Sequence, residues 1–209
     1  MAITEPFDEY LDEYEQWFEI NRFAYESELR AVKALLPRSR NGMEIGVGSG
    51  RFALPLGIRS GIEPSARMRE AARNRGVEVI DAVAEDLPFD DAQFDFALMV
   101  TTICFLDDVE TALREAYRVI NNGGCLIIGF VDKTSPVGRL YLEHKNESVF
   151  YRPATFYSTG EVASFLEKAG FSRFSFVQTI FHSLADVKSI EPTKKGYGSG
   201  SFVVVKAAK

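Results

Sequence analysis

The stretch Gly42-Met43-Glu44-Ile45-Gly46-Val47-Gly48-Ser49-Gly50-Arg51-Phe52 decides how the rest of the chain is read. Apolar residues lead into three glycines at alternate positions, and a second apolar segment, Arg51 to Leu56, follows as an expected short helix. That order spells a buried strand, a tight turn and a helix start. Without a Cβ, the backbone can bend sharply there or pass close to a ligand. A helix start behind the turn would offer unpaired N–H groups and a positive dipole end. A nucleoside-bearing cofactor suits such a turn.

Downstream the pattern alternates. Ser60 to Glu63 reads as a second strand ending in an acid, and Ser65 can cap a helix to Arg75 that Gly76 ends. Val77 to Ile80 and Phe94 to Val100 read as further strands, separated by the acidic loop Ala84 to Gln93. A helix from Asp107 or Asp108 to Ile120 carries Leu113, Ala116, Tyr117 and Ile120 on one face. Asn121-Asn122-Gly123-Gly124 breaks it before a fifth strand, Cys125 to Val131. Strands this apolar, alternating with helices, predict a parallel sheet covered on both faces.

The last third changes style. Ser135 to Ser148 is mixed and helical in pattern, Phe150 to Tyr157 is an aromatic loop, and Ser158 or Thr159 caps a helix to Lys168. Phe171 to Phe181 and Ser201 to Lys206 follow as two strands with no helix between them, so they run antiparallel if they pair. Lys194-Lys195-Gly196-Tyr197-Gly198 reads as a mobile connector. Upstream of the glycines, residues 5–20 place Tyr10, Tyr14, Trp17 and Phe18 on one helical face, and a second helix spans Phe23 to Leu36 until Pro37 stops it. The fold class is therefore α/β: a Rossmann-like doubly wound seven-stranded sheet, mainly parallel with an antiparallel last strand. Residues 1–40 form a helical cap and residues 41–209 the core of one domain.

Composition agrees with an ordinary globular chain: 209 residues, 46% apolar and 26% charged. The formal net charge of -6 argues against a dominant nucleic-acid footprint, which needs a basic face. No window reaches the ~18 apolar residues of a membrane span, and the N-terminus lacks the basic and apolar regions of a signal peptide. The expected location is cytoplasmic. Cys104 and Cys125, in apolar runs without ligand-like spacing, are expected to be small buried hydrophobes rather than a disulfide or a metal site.

Several cofactor families use glycine turns, so the neighbours must discriminate. The dinucleotide fingerprint places a glycine where this chain has Arg51, and the phosphate-binding Gly-Lys-Ser/Thr pattern is absent. Glu44, a carboxylate inside an apolar strand, needs a partner. A cofactor ammonium group or a structural ion pair would each serve. Glu63 ends the second strand where a ribose would lie and could accept from two hydroxyls; a solvated glutamate before Pro64 is the alternative.

Together Glu44-Ile45-Gly46-Val47-Gly48-Ser49-Gly50, Glu63-Pro64-Ser65, Ala84-Glu85-Asp86-Leu87-Pro88-Phe89, Phe94-Asp95 and Asn122-Gly123-Gly124 resemble class I S-adenosylmethionine (SAM) dependent methyltransferases. They are most similar to the UbiE-like, methyltransferase type 11 group. The resemblance runs from about Gly42 to Val131, and the final strand pair extends it to Val205. It implies SAM as cofactor, with S-adenosylhomocysteine as product. It also implies that Glu44 and Gly46 hold the methionyl amino group and that Gly48 and Gly50 give the backbone close passage. Glu63 would take the ribose hydroxyls, with Pro64 and Met68 against the adenine. Ala84 and Glu85 would border the adenine edge, and Thr101 and Thr102 the sulfonium side. Many relatives carry an aspartate where this chain has Val83, so the adenine amino contact would fall to Glu85, Asp81 or a backbone group.

The implied reaction is methyl transfer to a small-molecule acceptor. Catalytic residues are not fixed by the sequence; His144 and His182 are the candidate bases. Tyr10, Tyr14 and Trp17 could form an aromatic lid over the acceptor pocket, suited to an apolar or cationic substrate, or simply pack on the sheet. Two other functions remain open at this point. One is a catalytically silent SAM-binding sensor or partner subunit; the other, disfavoured by Arg51, is an NAD-dependent oxidoreductase.

Overall fold

The computed structural model describes residues 3–39 and 41–209. Three helices come first: α1 (Glu5–Glu9), α2 (Leu11–Ile20) and α3 (Arg22–Leu35). The continuous helix expected over residues 5–20 is broken at Tyr10, whose backbone (φ -115°, ψ 38°) is at once the end of α1 and the start of α2. Tyr10 therefore leaves the face that Tyr14, Trp17 and Phe18 share. On α3 the buried positions are Ala24, Ser27, Glu28, Ala31 and Val32, a stripe at helical spacing.

The sheet is built from β1 (Gly42–Ile45), β2 (Ser60–Ile62), β3 (Glu78–Ile80), β4 (Phe94–Val100), β5 (Ile120–Val131), β6 (Ser172–Thr179), β7 (Lys194–Lys195) and β8 (Phe202–Ala208). Their spatial order is β3-β2-β1-β4-β5-β8-β6-β7. β1 to β5 pair in parallel, and β8 lies antiparallel between β5 and β6. The sheet has eight strands rather than the expected seven, because β7 adds two residues to the edge of β6. That pairing, with the Gln178 side-chain oxygen accepting from Ser199 N and Gly200 N at 2.8 and 2.7 Å, pins the segment expected to be a mobile connector.

Helices α4 (Ala66–Asn74), α5 (Val109–Val119), α6 (Pro136–Glu143) and α7 (Thr159–Lys168) complete the elements. Two apolar cores lie on opposite faces of the sheet. Ala97 and Met99 of β4, with Leu126 and Ile128 of β5, face one core with α5 and α7. Phe96, Leu98, Cys125 and Ile127 face the other, with α3 and the Phe18 end of α2. Strand alternation thus distributes the apolar runs between two layers.

Two local expectations are corrected. Residues 51–57 form successive turns, not a helix. Pro55 supplies no N–H to such a helix, and Gly57 closes the segment at φ 77°. The dipole of a regular helix is therefore missing behind the glycine turn. Asn121 to Gly124 do not form a break either: α5 runs directly into β5, which absorbs them with a register shift opposite Phe94 and Phe96.

Candidate active site

Where β1 ends, the chain turns through Gly46 (φ 71°), Gly48 (φ 55°) and Gly50 (φ 86°), all in the left-handed region. At Gly48 a Cβ would stand 2.9 Å from the Tyr14 hydroxyl, so α2 lays that phenol directly over the turn. Gly46 is closed in by the Thr102 side chain, whose hydroxyl donates to Gly46 O at 3.3 Å and Val100 O at 3.1 Å. Gly50 serves packing instead: its missing Cβ faces Ala72 and Val77, and it borders no cavity.

Glu63 ties this turn to the next helix. Gly48 N donates to its Oε2 and Ser65 N to its Oε1, both at 2.9 Å. Two backbone donors leave acceptor capacity on both oxygens. Burial nonetheless pushes the carboxyl above the usual glutamate range, against the lowering effect of those bonds. Glu44 is 1% exposed, and its Oε2 has no partner among the described residues. Burial holds its pKa well above the usual range, and the Glu63 charge adds to this. Arg51 points away from the turn. It pairs with Glu15 and Glu19 of α2, while Arg75 reaches the same Glu15 oxygen at 2.5 Å.

A cavity opens at this strand end. Its wall holds Gly46, Gly48, Glu63, Pro64 and Met68 on one side. Ala84, Glu85, Thr101 and Thr102 face them. Nine of the eleven residues expected to hold the cofactor are thereby brought together; Glu44 lies behind the wall and Gly50 outside it. Glu85 accepts from Asp107 N and Asp108 N at 3.0 and 3.2 Å through Oε1, which leaves Oε2 as an acceptor in the wall. Asp81 is outside the wall and held by Arg69 at 2.8 Å. Phe7, Phe105 and Leu106 also line this cavity, and the sequence reading missed them.

A second cavity adjoins the first and is mostly aromatic, with Glu28, Thr101, Ile103, Cys104 and Val131 the other lining residues. Phe7, Tyr14, Thr101 and Phe105 belong to both walls. Phe7 sits edge-on to Phe105 at 5.0 Å and to Tyr14 at 6.2 Å. Trp17, Phe150 and Phe156 extend this wall, and Tyr141 and Tyr151 add a stacked pair at 4.2 Å. Thr101, at the junction, has φ 51°, a left-handed backbone state uncommon for non-glycine residues that Ala92, Arg173 and Ile180 also hold away from the two cavities. Cys104 lines this cavity too, and burial pushes its thiol up to about 12, which makes it a poor nucleophile.

Of the expected lid residues, Tyr14 and Trp17 line the aromatic cavity and Tyr10 lines neither. Neither histidine is in either wall. His144 pairs with Glu147 at 3.0 Å and His182 with the buried Glu191 at 2.5 Å, and both imidazoles are exposed. The residue most completely missed is Glu28, which lines the aromatic cavity from α3. Its signal was available: an acid at the centre of the stripe Ala24, Ala31, Val32.

This architecture of parallel strands, glycine turn and strand-end acid fits a protein that binds a nucleoside cofactor. Residues 43–128 match the family described as "Methyltransferase domain". A solved structure from Thermotoga maritima, titled a SAM-dependent methyltransferase and "possible histamine N-methyltransferase", is 55% identical. It aligns over 98% of each chain with a TM-score of 0.96. An uncharacterized protein of Methanocaldococcus jannaschii is 44% identical over 97% of this chain and 98% of its own length. The ubiquinone/menaquinone biosynthesis C-methyltransferase UbiE of Rhizobium meliloti is 32% identical, but over only 46% of this chain and 45% of that protein. The chain belongs to the SAM-dependent methyltransferases, and its cofactor is SAM. The nicotinamide reading falls with that assignment. Among the described residues no helix is long and apolar enough to cross a membrane, and no cluster could hold a metal ion.

Proposed function

We propose that this methyltransferase acts on a small molecule held in the aromatic cavity, with SAM in the adjoining one. The observation that carries the reading is the wall the two cavities share at Thr101, Phe7, Tyr14 and Phe105. The donor side suits SAM on its own chemistry. Glu63 keeps acceptor capacity for ribose hydroxyls, and the orphaned Glu44 Oε2 lies just behind the turn, where an ammonium group, directly or through water, would satisfy it. Gly46 and Gly48 would let the methionyl end lie against the backbone. Pro64, Met68 and Ala84 would flank the adenine, with Glu85 Oε2 or a backbone group rather than the Arg69-held Asp81 meeting its amino group.

Bound there, SAM supplies a methyl group already made electrophilic by its sulfonium. What the protein adds is alignment and exclusion of water. Thr101 and Phe105 would fix the acceptor atom at the shared wall, while Tyr14 and Phe7 cover it. With both histidines outside the walls, the chain supplies no imidazole base. An acceptor that is a nucleophile in its neutral form fits this arrangement. The name of the Thermotoga maritima relative makes nitrogen nucleophiles the first compounds to try.

Transfer from methyl-labelled SAM across a panel of amines, N-heterocycles, phenols and quinones tests the reading. The expected result is labelled product from at least one compound smaller than the cavity. Tight S-adenosylhomocysteine binding with no product from the whole panel would contradict it.

A further inference from the structure

The aromatic cavity contains one feature that an apolar substrate does not explain. Glu28 is 6% exposed, lines the cavity, and has no hydrogen-bond or ion-pair partner among the described residues. No lysine, arginine or histidine stands in that wall. A buried carboxyl without a partner is expensive unless it has a use. Its electrostatic neighbours are Tyr141 and Tyr151, whose phenols it helps to hold above their ordinary range after burial itself. Neither tyrosine, nor Glu28, belongs to the wall shared with the donor cavity.

We propose that the acceptor carries a protonated amine which Glu28 binds within the aromatic wall, and that this nitrogen is an anchor distinct from the atom that is methylated. The proposal rests on the aromatic cavity being the acceptor site. Two parts of the wall then do different work. Glu28 offers an ion pair to an ammonium group, and the aromatic residues lining the same cavity offer cation–π attraction. Thr101 and Phe105 stand where the nucleophilic atom meets the donor side. An acceptor spanning both is bifunctional: a basic nitrogen at one end, a neutral nucleophile at the other. With nothing bound, burial pushes the Glu28 carboxyl up to about 8, so it rests mostly protonated at neutral pH. Arrival of the ammonium then favours the carboxylate and releases a proton. The empty cavity thereby avoids a bare buried charge.

Matched ligand pairs test this by thermal shift and titration: tyramine against 4-ethylphenol, and 3-(aminomethyl)pyridine against 3-methylpyridine. Wild-type protein is expected to bind at least one amine tenfold or more tightly than its des-amino partner. Glu28→Gln should lose that preference while its affinity for the des-amino compounds stays unchanged. The substitution is isosteric with the protonated carboxyl, so folding is expected to survive; Glu28→Met, uncharged and of similar volume, provides a second variant. S-adenosylhomocysteine should stabilise all three proteins equally. Loss of amine preference with that response intact supports the proposal. Equal binding within both pairs, no binding of either amine, or a preference that survives in both variants would overturn it. A missing response to S-adenosylhomocysteine in wild type would instead strike at the donor site.

Discussion

The two cavities are neighbours, yet they are made in different ways. The donor cavity is assembled mainly from the chain segments that follow β1, β2, β3 and β4, with Gly46, Glu63, Pro64, Thr101 and Thr102 within two positions of a strand end, and Phe7 and Tyr14 close it from the N-terminal helices. The aromatic cavity draws on α1, α2, α3, α6 and the loop around Phe150 as well as on the ends of β4 and β5, and no two neighbouring segments supply most of it. A strand-end site follows the fold closely, so one fold can carry it through many sequences. A site between helices and a loop depends on side-chain choice, and there one substitution can change what is bound. The difference predicts that damage to the first region removes cofactor binding, while damage to the second changes selectivity and leaves the cofactor in place.

The largest effect should come from Gly46→Val. The new side chain must hold a left-handed φ and displace Thr102. Backbone strain and overpacking together predict a loss of about 2–5 kcal/mol, read as a lowered denaturation midpoint. Full stability in this variant would mean that the turn is not as tightly enclosed as described.

Glu28 comes next, and its effect depends on pH. Its folded-state pKa, about 8, lies above the ordinary glutamate value, so the folded protein binds the extra proton. The associated stability is complete below the unfolded pKa and is lost as pH rises through the folded one. Wild type should therefore lose stability between the ordinary glutamate range and pH ~9, by on the order of a few kcal/mol. Glu28→Gln, which cannot titrate, should flatten that part of the profile. Parallel profiles for the two proteins in chemical denaturation would contradict the burial argument.

A smaller effect is expected where α2 is fastened over both cavities. Arg51 and Arg75 converge on one Glu15 oxygen, with all three side chains only partly exposed. Arg51→Ala should cost about 1 kcal/mol, since solvent screens much of the pair. It should also raise acceptor KM severalfold by loosening Tyr14 and Trp17, with kcat little changed. The smallest effect belongs to His144→Ala and His182→Ala, each expected to alter kcat/KM less than about twofold because neither side chain reaches a cavity wall. A tenfold loss in either would show that a histidine moves into the site.

Legibility in the sequence followed the same division. Gly46, Gly48 and Glu63 are readable from the residues themselves because each follows a strand end, whereas Met68 and Thr101 come only with the family resemblance. The alternation of apolar strands and helices likewise predicted the parallel sheet, and the helix-free connection between the last two long strands predicted the antiparallel β8. What escaped was set by tertiary context. Tyr10 left its expected face because the backbone breaks there, and β7 is a two-residue pairing without a pattern of its own. Pro55 should have warned against a helix after the turn. Phe7, Phe105 and Phe150 meet only when three distant segments fold together, and Glu28 is one of several charged residues on α3. Its position within the buried stripe of α3 was the clue.

Glu63 offers the most direct test of the account, because it joins the glycine turn to α4 and faces the donor cavity. Calorimetric titration of S-adenosylhomocysteine into wild type and Glu63→Ala should show binding weakened by about 1–3 kcal/mol, the value of charge-assisted hydrogen bonds lost from a buried acceptor. Equal affinity in the two proteins would place the cofactor elsewhere and contradict the account.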